Sequence, residues 1–354
     1  MQRRMIALTV ALGFAFVFTS SAAMAQYQLT NLSSNQVKWA IHIDPLLVNA
    51  WGLVHGPGTP WWVSDNSSGW STLYDGAGNT IQRLKVLIPT AGNGPSSPTG
   101  LNGPGSPTGI VFNGSQDFQV GGWASIFLFA TLDGTISGWA PQTNFNQATI
   151  APLQNQPTGA VYTGLAITNK SSGNFLYAAD MANSQVEIFD ANFNFVKAFT
   201  DSTLPTGFAP FGVRDINGIV YVTFADVSGG SGGFVEQFLE DGTAVNPGKP
   251  LISGAPLNQP WGIAVAPRNF GPLSNTLLIS NNTNGGRINA FNPTTGKVIG
   301  TVKDMNGKAI VIDQLWGIDF GDGLGKNGPP NQLFFAAGPS NNQAGTFGKI
   351  SVAR

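Results

Sequence analysis

Apolar residues along this chain come in short runs, separated by Gly, Pro, Asn, Asp and Ser. Phe175-Leu176-Tyr177-Ala178-Ala179-Asp180 leads through a polar turn into Gln185-Val186-Glu187-Ile188-Phe189-Asp190. Runs of this length bounded by turn residues predict strands, because no apolar stripe of helical period is long enough to bury a helix. One device returns along the chain: a bulky or hydroxyl residue, a Gly, and an apolar run. It reads Trp51-Gly52-Leu53, Thr108-Gly109-Ile110, Thr163-Gly164-Leu165, Phe211-Gly212-Val213, Trp261-Gly262-Ile263 and Trp316-Gly317-Ile318. The glycines stand 48 to 57 residues apart, which leaves each of the six units room for four short strands. That is the period of a propeller blade. The pattern predicts an all-β chain folded as a six-bladed β-propeller.

The two ends of the chain fit together. The final unit offers three strands, over 316–320, 333–337 and 347–352, where the others offer four. Tyr27 to Leu32 alternates apolar and polar residues as a strand without a blade of its own. It is therefore expected to complete the last blade and close the ring, removing an exposed sheet edge. In the first unit the fourth strand is expected over Ile81 to Val86, after a turn at Gly76-Ala77-Gly78-Asn79. Residues 89–107 are rich in Pro, Gly and Ser, and the stretch 94–102 is nearly repeated by 103–111, a slippage that lengthens one loop.

Before the repeats, Arg3-Arg4, an apolar core from Ile6 to Phe18 and Ala23-Met24-Ala25 follow the plan of a secretory signal peptide. The expectation is removal of residues 1–25, leaving 26–354 as a single propeller domain, secreted or periplasmic, with no transmembrane segment. With no Cys anywhere in the chain, closure of the ring replaces disulfides as the staple.

Composition narrows the partners. Only 10% of residues are charged, 17 basic against 18 acidic, so nothing attracts nucleic acid and no strong field steers a ligand. The 24 Phe and 9 Trp supply a large core and exclude a disordered chain.

The strand ending Ala179-Asp180 followed by one ending Phe189-Asp190 resembles the NHL-type propeller repeat. Longer stretches resemble a secreted bacterial family of six-bladed propellers, some members of which carry a PEP-CTERM sorting tail. Those stretches include Asn49-Ala50-Trp51-Gly52-Leu53, Asp133-Gly134-Thr135-Ile136-Ser137-Gly138-Trp139 and Ile312-Asp313-Gln314-Leu315-Trp316-Gly317. The resemblance implies the fold and the compartment, and it implies no particular reaction. The chain ends at Arg354 without the tail, so sorting by that route is not expected.

Two sets of residues should meet at one end of the central channel. Trp51, Thr108, Thr163, Phe211, Trp261 and Trp316 precede the repeat glycines. They either line a mouth that stacks on a sugar ring or another flat ligand, or plug the channel. Asp65, Asp180, Asp226 and Asn281, with Asn66, Asp133 and Asn282, follow the second strands. They either hold a hard cation such as Ca2+ or cap turns through their own backbone. Metal-dependent lactonases on a similar scaffold place Asn directly before the repeat Gly in some blades and use it as a metal ligand, whereas this chain has Trp, Thr or Phe there, which argues against carrying the activity over. With His42 and His55 the only histidines, a multi-histidine metal centre is excluded. Gly229 to Gly233 and Gly323 to Gly328 match nucleophile-elbow and dinucleotide motifs by letter only, since neither opens a helix.

These readings favour a binding or interaction scaffold, expected to be monomeric, for a small ligand, polysaccharide or protein at the aromatic face. The alternative is a cation-dependent hydrolase or lactonase using Asp65, Asp180, Asp226 and Asn281.

Overall fold

The computed structural model describes residues 26–91, 104–168 and 173–353. Among them, six sheets stand side by side in a ring. Their innermost strands are Ala50–Val54, Pro107–Phe112, Tyr162–Ile167, Phe208–Ile216, Pro260–Val265 and Leu315–Phe320. Each touches the inner strands of the blades on either side, and the last returns to the first. The core accordingly lies between blades as a chain of apolar clusters. One joins blades 5 and 6 through Ala264, Leu278, Ile318 and Phe335, another joins blades 6 and 1 through Trp61, Val63, Phe334 and Phe347.

The ring closes as expected. Tyr27–Ser34 runs antiparallel to Thr346–Val352, with Tyr27 opposite Val352 and Leu29 opposite Ile350. The Tyr27 hydroxyl, buried, donates to the Phe270 carbonyl at 2.7 Å and accepts from the Leu273 N–H at 3.1 Å, so the closing strand is tied to blade 5 as well. A fifth strand, His42–Ile43, adds to blade 6 in parallel and was not foreseen, because two residues carry no period. The fourth strand of blade 1 is Val86–Leu87 rather than 81–86. Ile81 donates its N–H back to the Leu73 carbonyl at 2.8 Å and Leu84 turns onto Ile81 at 3.0 Å, which folds the expected strand start into a turn. Residues 1–25 and the first copy of the duplicated nonapeptide lie outside the described residues. The second copy supplies the inner strand of blade 2.

The repeated device is a β-bulge. In every blade two residues of the inner strand oppose one of its neighbour. Trp51 and Gly52 face Ser64, Thr108 and Gly109 face Ala130, and Thr163 and Gly164 face Ala179. Phe211 and Gly212 face Thr223, Trp261 and Gly262 face Ser280, and Trp316 and Gly317 face Ala336. A bulge re-aims the extra residue and sharpens the local twist. The Gly is needed because the bulge presses the inner strand against the next blade. A Cβ on Gly52 or Gly212 would overlap the carbonyl oxygen of Thr108 or Trp261, and one on Gly109 would overlap the Leu165 N–H. On Gly262 it would sit 2.5 Å from the Trp316 oxygen, on Gly317 2.9 Å from that of Trp51, and on Gly164 3.1 Å from that of Phe211. The six repeat glycines thus set how closely the inner strands approach around the axis.

Candidate functional site

The bulges bring four of the six residues that precede the glycines into one aromatic cluster at the end of the channel where the inner strands begin. Trp51 stacks on Trp316 at 3.5 Å between centroids and 16° between planes. Trp261 meets both edge-on, at 6.4 and 6.0 Å, and Phe211 packs against Trp316 at 5.5 Å. Blades 2 and 3 contribute Thr108 and Thr163 instead of rings, and there Leu132 and Met181 lean in from the following turns to fill the space. Hydrogen bonds between blades lock the arrangement. The Trp261 indole N–H donates to the Thr163 carbonyl at 2.9 Å, Trp316 donates to Asn49 Oδ1 at 3.0 Å, and the Thr108 hydroxyl donates to the Tyr162 carbonyl at 2.7 Å. Trp51, Phe211 and Trp316 are 6%, 7% and 3% exposed, so their faces meet one another and not solvent; Trp261 alone is half-buried.

The carboxylates and amides of the second set stand at the same end but are taken up within or beside their own blades. Asp180 accepts from the N–H groups of Val161, Ala182 and Asn183 and from the Asn183 amide, an Asx-type cap on its turn. Asp226 accepts from the Ser228 N–H and hydroxyl, which hold its carboxyl below the usual carboxylate range. Asp133 is acidified too: burial opposes it, but the hydroxyls of Thr131, Thr90 and Thr135 and the Ala91 N–H together prevail. Asn281 Oδ1 accepts from the Asn258 N–H at 3.2 Å while its amide donates to the Pro256 carbonyl, and Asn66 is likewise shared between Asn49 and Pro107. Asp65 differs, being wholly buried; desolvation, reinforced by Asp44, holds its carboxyl well above the ordinary range. Asp65, Asp180, Asp226 and Asn281 are therefore not brought together, and among the described residues no three His, Cys, Asp or Glu side chains converge as a metal set.

Below the aromatic cluster the channel is hollow. A cavity of about 180 Å³ runs past Gly52, Gly109, Gly262 and Gly317 toward the other end of the inner strands, lined by backbone and by Leu53, Ile110, Leu165, Val213, Ile263 and Ile318. Trp261 forms part of its floor. Its far end carries Arg214 on blade 4. Arg214 Nη1 donates to the Ile263 carbonyl at 2.9 Å and the Ile318 carbonyl at 3.4 Å, and Nη2 donates to Asp319 Oδ1 at 2.9 Å. One guanidinium thus joins blades 4, 5 and 6 across the opening, and Asp215 lies beside it. Nearby, His55 sits edge-on to Trp61 with its ring nitrogens 3.0 Å from the Gly56 oxygen and 2.9 Å from the Phe320 oxygen.

Sequence reasoning overlooked Arg214 and Asp319, although a signal was present. Both stand two residues beyond a repeat glycine, where the other blades have Val54, Val111, Ala166 and Ala264. Opposite charges at one register position of two nearby blades are a cross-channel pair.

No protein-family model matches the chain. Among solved structures, a streptogramin B lyase superposes with a TM-score of 0.51 at 12% identity, covering 93% of this chain and 98% of its own. A glucose dehydrogenase gives 0.56 at 11% identity, covering 92% and 100%. A Bacteroides thetaiotaomicron protein of unknown function gives 0.56 at 12%, covering 92% and 76%. At such identities the likeness is one of fold, and it agrees with the NHL-like propeller expected from the sequence. Two relatives are from Acanthamoeba polyphaga mimivirus. Uncharacterized protein R648 is 29% identical over 355 residues, spanning 94% of this chain and 82% of its own length. Uncharacterized protein L690 is 30% identical over 322 residues, spanning 86% and 82%. Being viral, they lend nothing to the bacterial and secreted part of the expected resemblance. With that identity extending over most of both sequences, this six-bladed β-propeller belongs to the family of these mimivirus proteins.

Proposed function

We propose that the protein is a binding scaffold, and that it admits a small uncharged ligand, the end of a neutral polymer or a partner's loop into the channel from the Arg214 side. The observation that carries this reading is the cavity of about 180 Å³ between the aromatic cluster and the Arg214–Asp319 pair. Its walls suit such a guest. Each inner strand is a sheet edge, which presents backbone N–H and C=O groups toward the axis, and the branched aliphatic residues beside them offer apolar contact. Trp261 would meet the ligand as the floor, while Trp51, Thr108, Thr163, Phe211 and Trp316 hold that floor in place. Asp319 and Asp215 beside Arg214 disfavour a strongly anionic guest. The pattern of residues 1–25 supports export, so we place this activity in the periplasm or outside the cell. The hydrolase reading gains no support from Asp65, Asp180, Asp226 and Asn281: the last three are engaged within or beside their own blades, and Asp65 is buried inside blade 1, away from them.

The test is thermal unfolding against a set of neutral mono- and disaccharides and small amides, with Val54→Trp as a variant that fills the half-buried opening. A compound that raises the melting temperature of the native protein and loses its effect on Val54→Trp supports the proposal. A response unchanged by Val54→Trp, or no response to any compound, contradicts it.

A further inference from the structure

Exposed apolar side chains are unevenly spread over the outside of the ring. Among the described residues sixteen large ones stand exposed, and seven of these lie on two short segments of one rim: Val298, Ile299 and Met305 in blade 5, and Val37, Trp39, Ile41 and Ile43 in blade 6. Scattered singly such residues are ordinary, but gathered together they mark an interaction surface. The strands Val298–Thr301 and His42–Ile43 are the outermost of their blades, and both segments flank the closing strand. The Tyr27 N–H donates to the Lys303 carbonyl at 3.0 Å. Four residues on, the Asn31 carbonyl accepts from the Ile41 N–H at 3.4 Å, and the Asn31 amide donates to the Trp39 carbonyl at 3.2 Å. At the rise of a strand the two segments are thus about 13 Å apart.

Charge on this rim is one-sided. Lys297, Lys303 and Lys308 are exposed in the first segment and Lys38 in the second. The single acid among them is Asp304, whose Oδ1 is taken by the N–H groups of Asn306 and Lys308 at 2.8 and 2.9 Å. In a chain of 17 basic and 18 acidic residues that is a local excess of positive charge. Lysines guard an edge strand against pairing with another strand, which accounts for the lysines but not for the apolar side chains between them. Two copies of this rim would bring like charges together. An anionic lipid surface suits both features, since Trp and aliphatic tips enter the headgroup boundary while lysines meet the lipid phosphates. The course of the chain agrees. Gln26 Oε1 accepts from the Gly307 N–H at 2.9 Å, on the turn that carries Met305. Residues 1–25, with Arg3-Arg4 and the apolar run from Ile6 to Phe18, therefore join the ring at this rim.

We propose that the rim of blades 5 and 6 docks on an anionic lipid surface through Trp39, Ile41 and Met305, with Lys38, Lys303 and Lys308 facing the phosphates. The test is co-sedimentation with vesicles, using the chain from Gln26 onward, which holds the complete closed ring. One vesicle preparation is phosphatidylcholine alone, the other equal parts of phosphatidylcholine and phosphatidylglycerol. The native chain should bind the mixed vesicles, bind the neutral ones more weakly, and release the mixed ones as salt is raised. Trp39→Ser with Ile41→Ser, and separately Lys303→Gln with Lys308→Gln, should each weaken binding by about ten-fold or more at an unchanged melting temperature. Val227→Ser with Leu324→Ser, exposed elsewhere on the ring, should bind as the native chain does. Failure of the native chain to bind mixed vesicles overturns the proposal, as does binding that survives both rim variants or is lost equally in the Val227 and Leu324 variant. A native dimer that dissociates in the rim variants overturns it too, by making the rim a contact between copies.

Discussion

The two ends of the channel are built from the same six strands yet are closed by opposite means. Where the strands begin, a bulge in each blade turns a side chain to the axis, and the rings fill the opening with apolar mass that excludes water. Where the strands end, no bulge intervenes, the lining residues are half-buried, and a single guanidinium spans the opening through two carbonyls and a carboxylate. Packing is costly to undo and insensitive to salt, whereas a partly exposed ion pair is weak and screened. The same scaffold therefore has a fixed end and a more open one, where the proposed guest would enter.

The largest effect should come from the fixed end. Trp316→Ala removes the ring that stacks on Trp51 and leaves Asn49 Oδ1 without its donor, so denaturant unfolding should show a loss of about 3–5 kcal/mol. A much smaller loss would mean that the rings are dispensable filling. Next comes a graded series at the bulges. Gly212→Ala and Gly52→Ala should lie at the upper end of about 1–3 kcal/mol and Gly164→Ala at the lower end, because a Cβ there has 3.1 Å to the Phe211 oxygen. Equal costs across the series would refute the close approach of inner strands as the reason for the repeat.

A pH experiment sharpens the contrast. Glu187, bonded by the Tyr162 hydroxyl at 2.7 Å near the fixed end, is pushed up to about 7, by burial first and by Asp180 in addition. In the unfolded chain it releases its proton near 4.5. Between those values the folded state holds more protons, so stability falls as pH rises from about 4.5 to about 7 and then levels off. Glu187→Gln should remove that fall, stabilising the protein above pH 7 by up to about 3 kcal/mol and leaving it unchanged below pH 4.5. A gain of equal size at every pH would show that charge is not the cause. The smallest effect is expected at the open end: Arg214→Met should cost about 1 kcal/mol, and less still in high salt.

How much of this was legible in the sequence follows from what each feature depends on. The blades, their number and the closing strand are written in local pattern and in the spacing of Trp51-Gly52 to Trp316-Gly317, and the structure reproduces them. That the Gly marks a bulge was not legible, because a bulge depends on the count of residues across two strands. The meeting of the aromatic residues at one end was legible from their shared register, but whether they line or fill the space depends on ring volumes against the channel radius, which the glycines set. Arg214 and Asp319 were missed because each is unremarkable alone and acquires meaning only when blades 4 and 6 face one another.

Because the chain contains no cysteine, an introduced thiol is unique, and it reads the two ends directly. Val54→Cys stands on the half-buried side of the cavity, and Thr163→Cys stands at the aromatic end, where Thr163 is 2% exposed. Under native conditions a small methanethiosulfonate reagent should modify Val54→Cys readily and Thr163→Cys only at the rate of unfolding. Ready modification of Thr163→Cys with Val54→Cys protected would reverse the assignment of the open and closed ends and contradict the account.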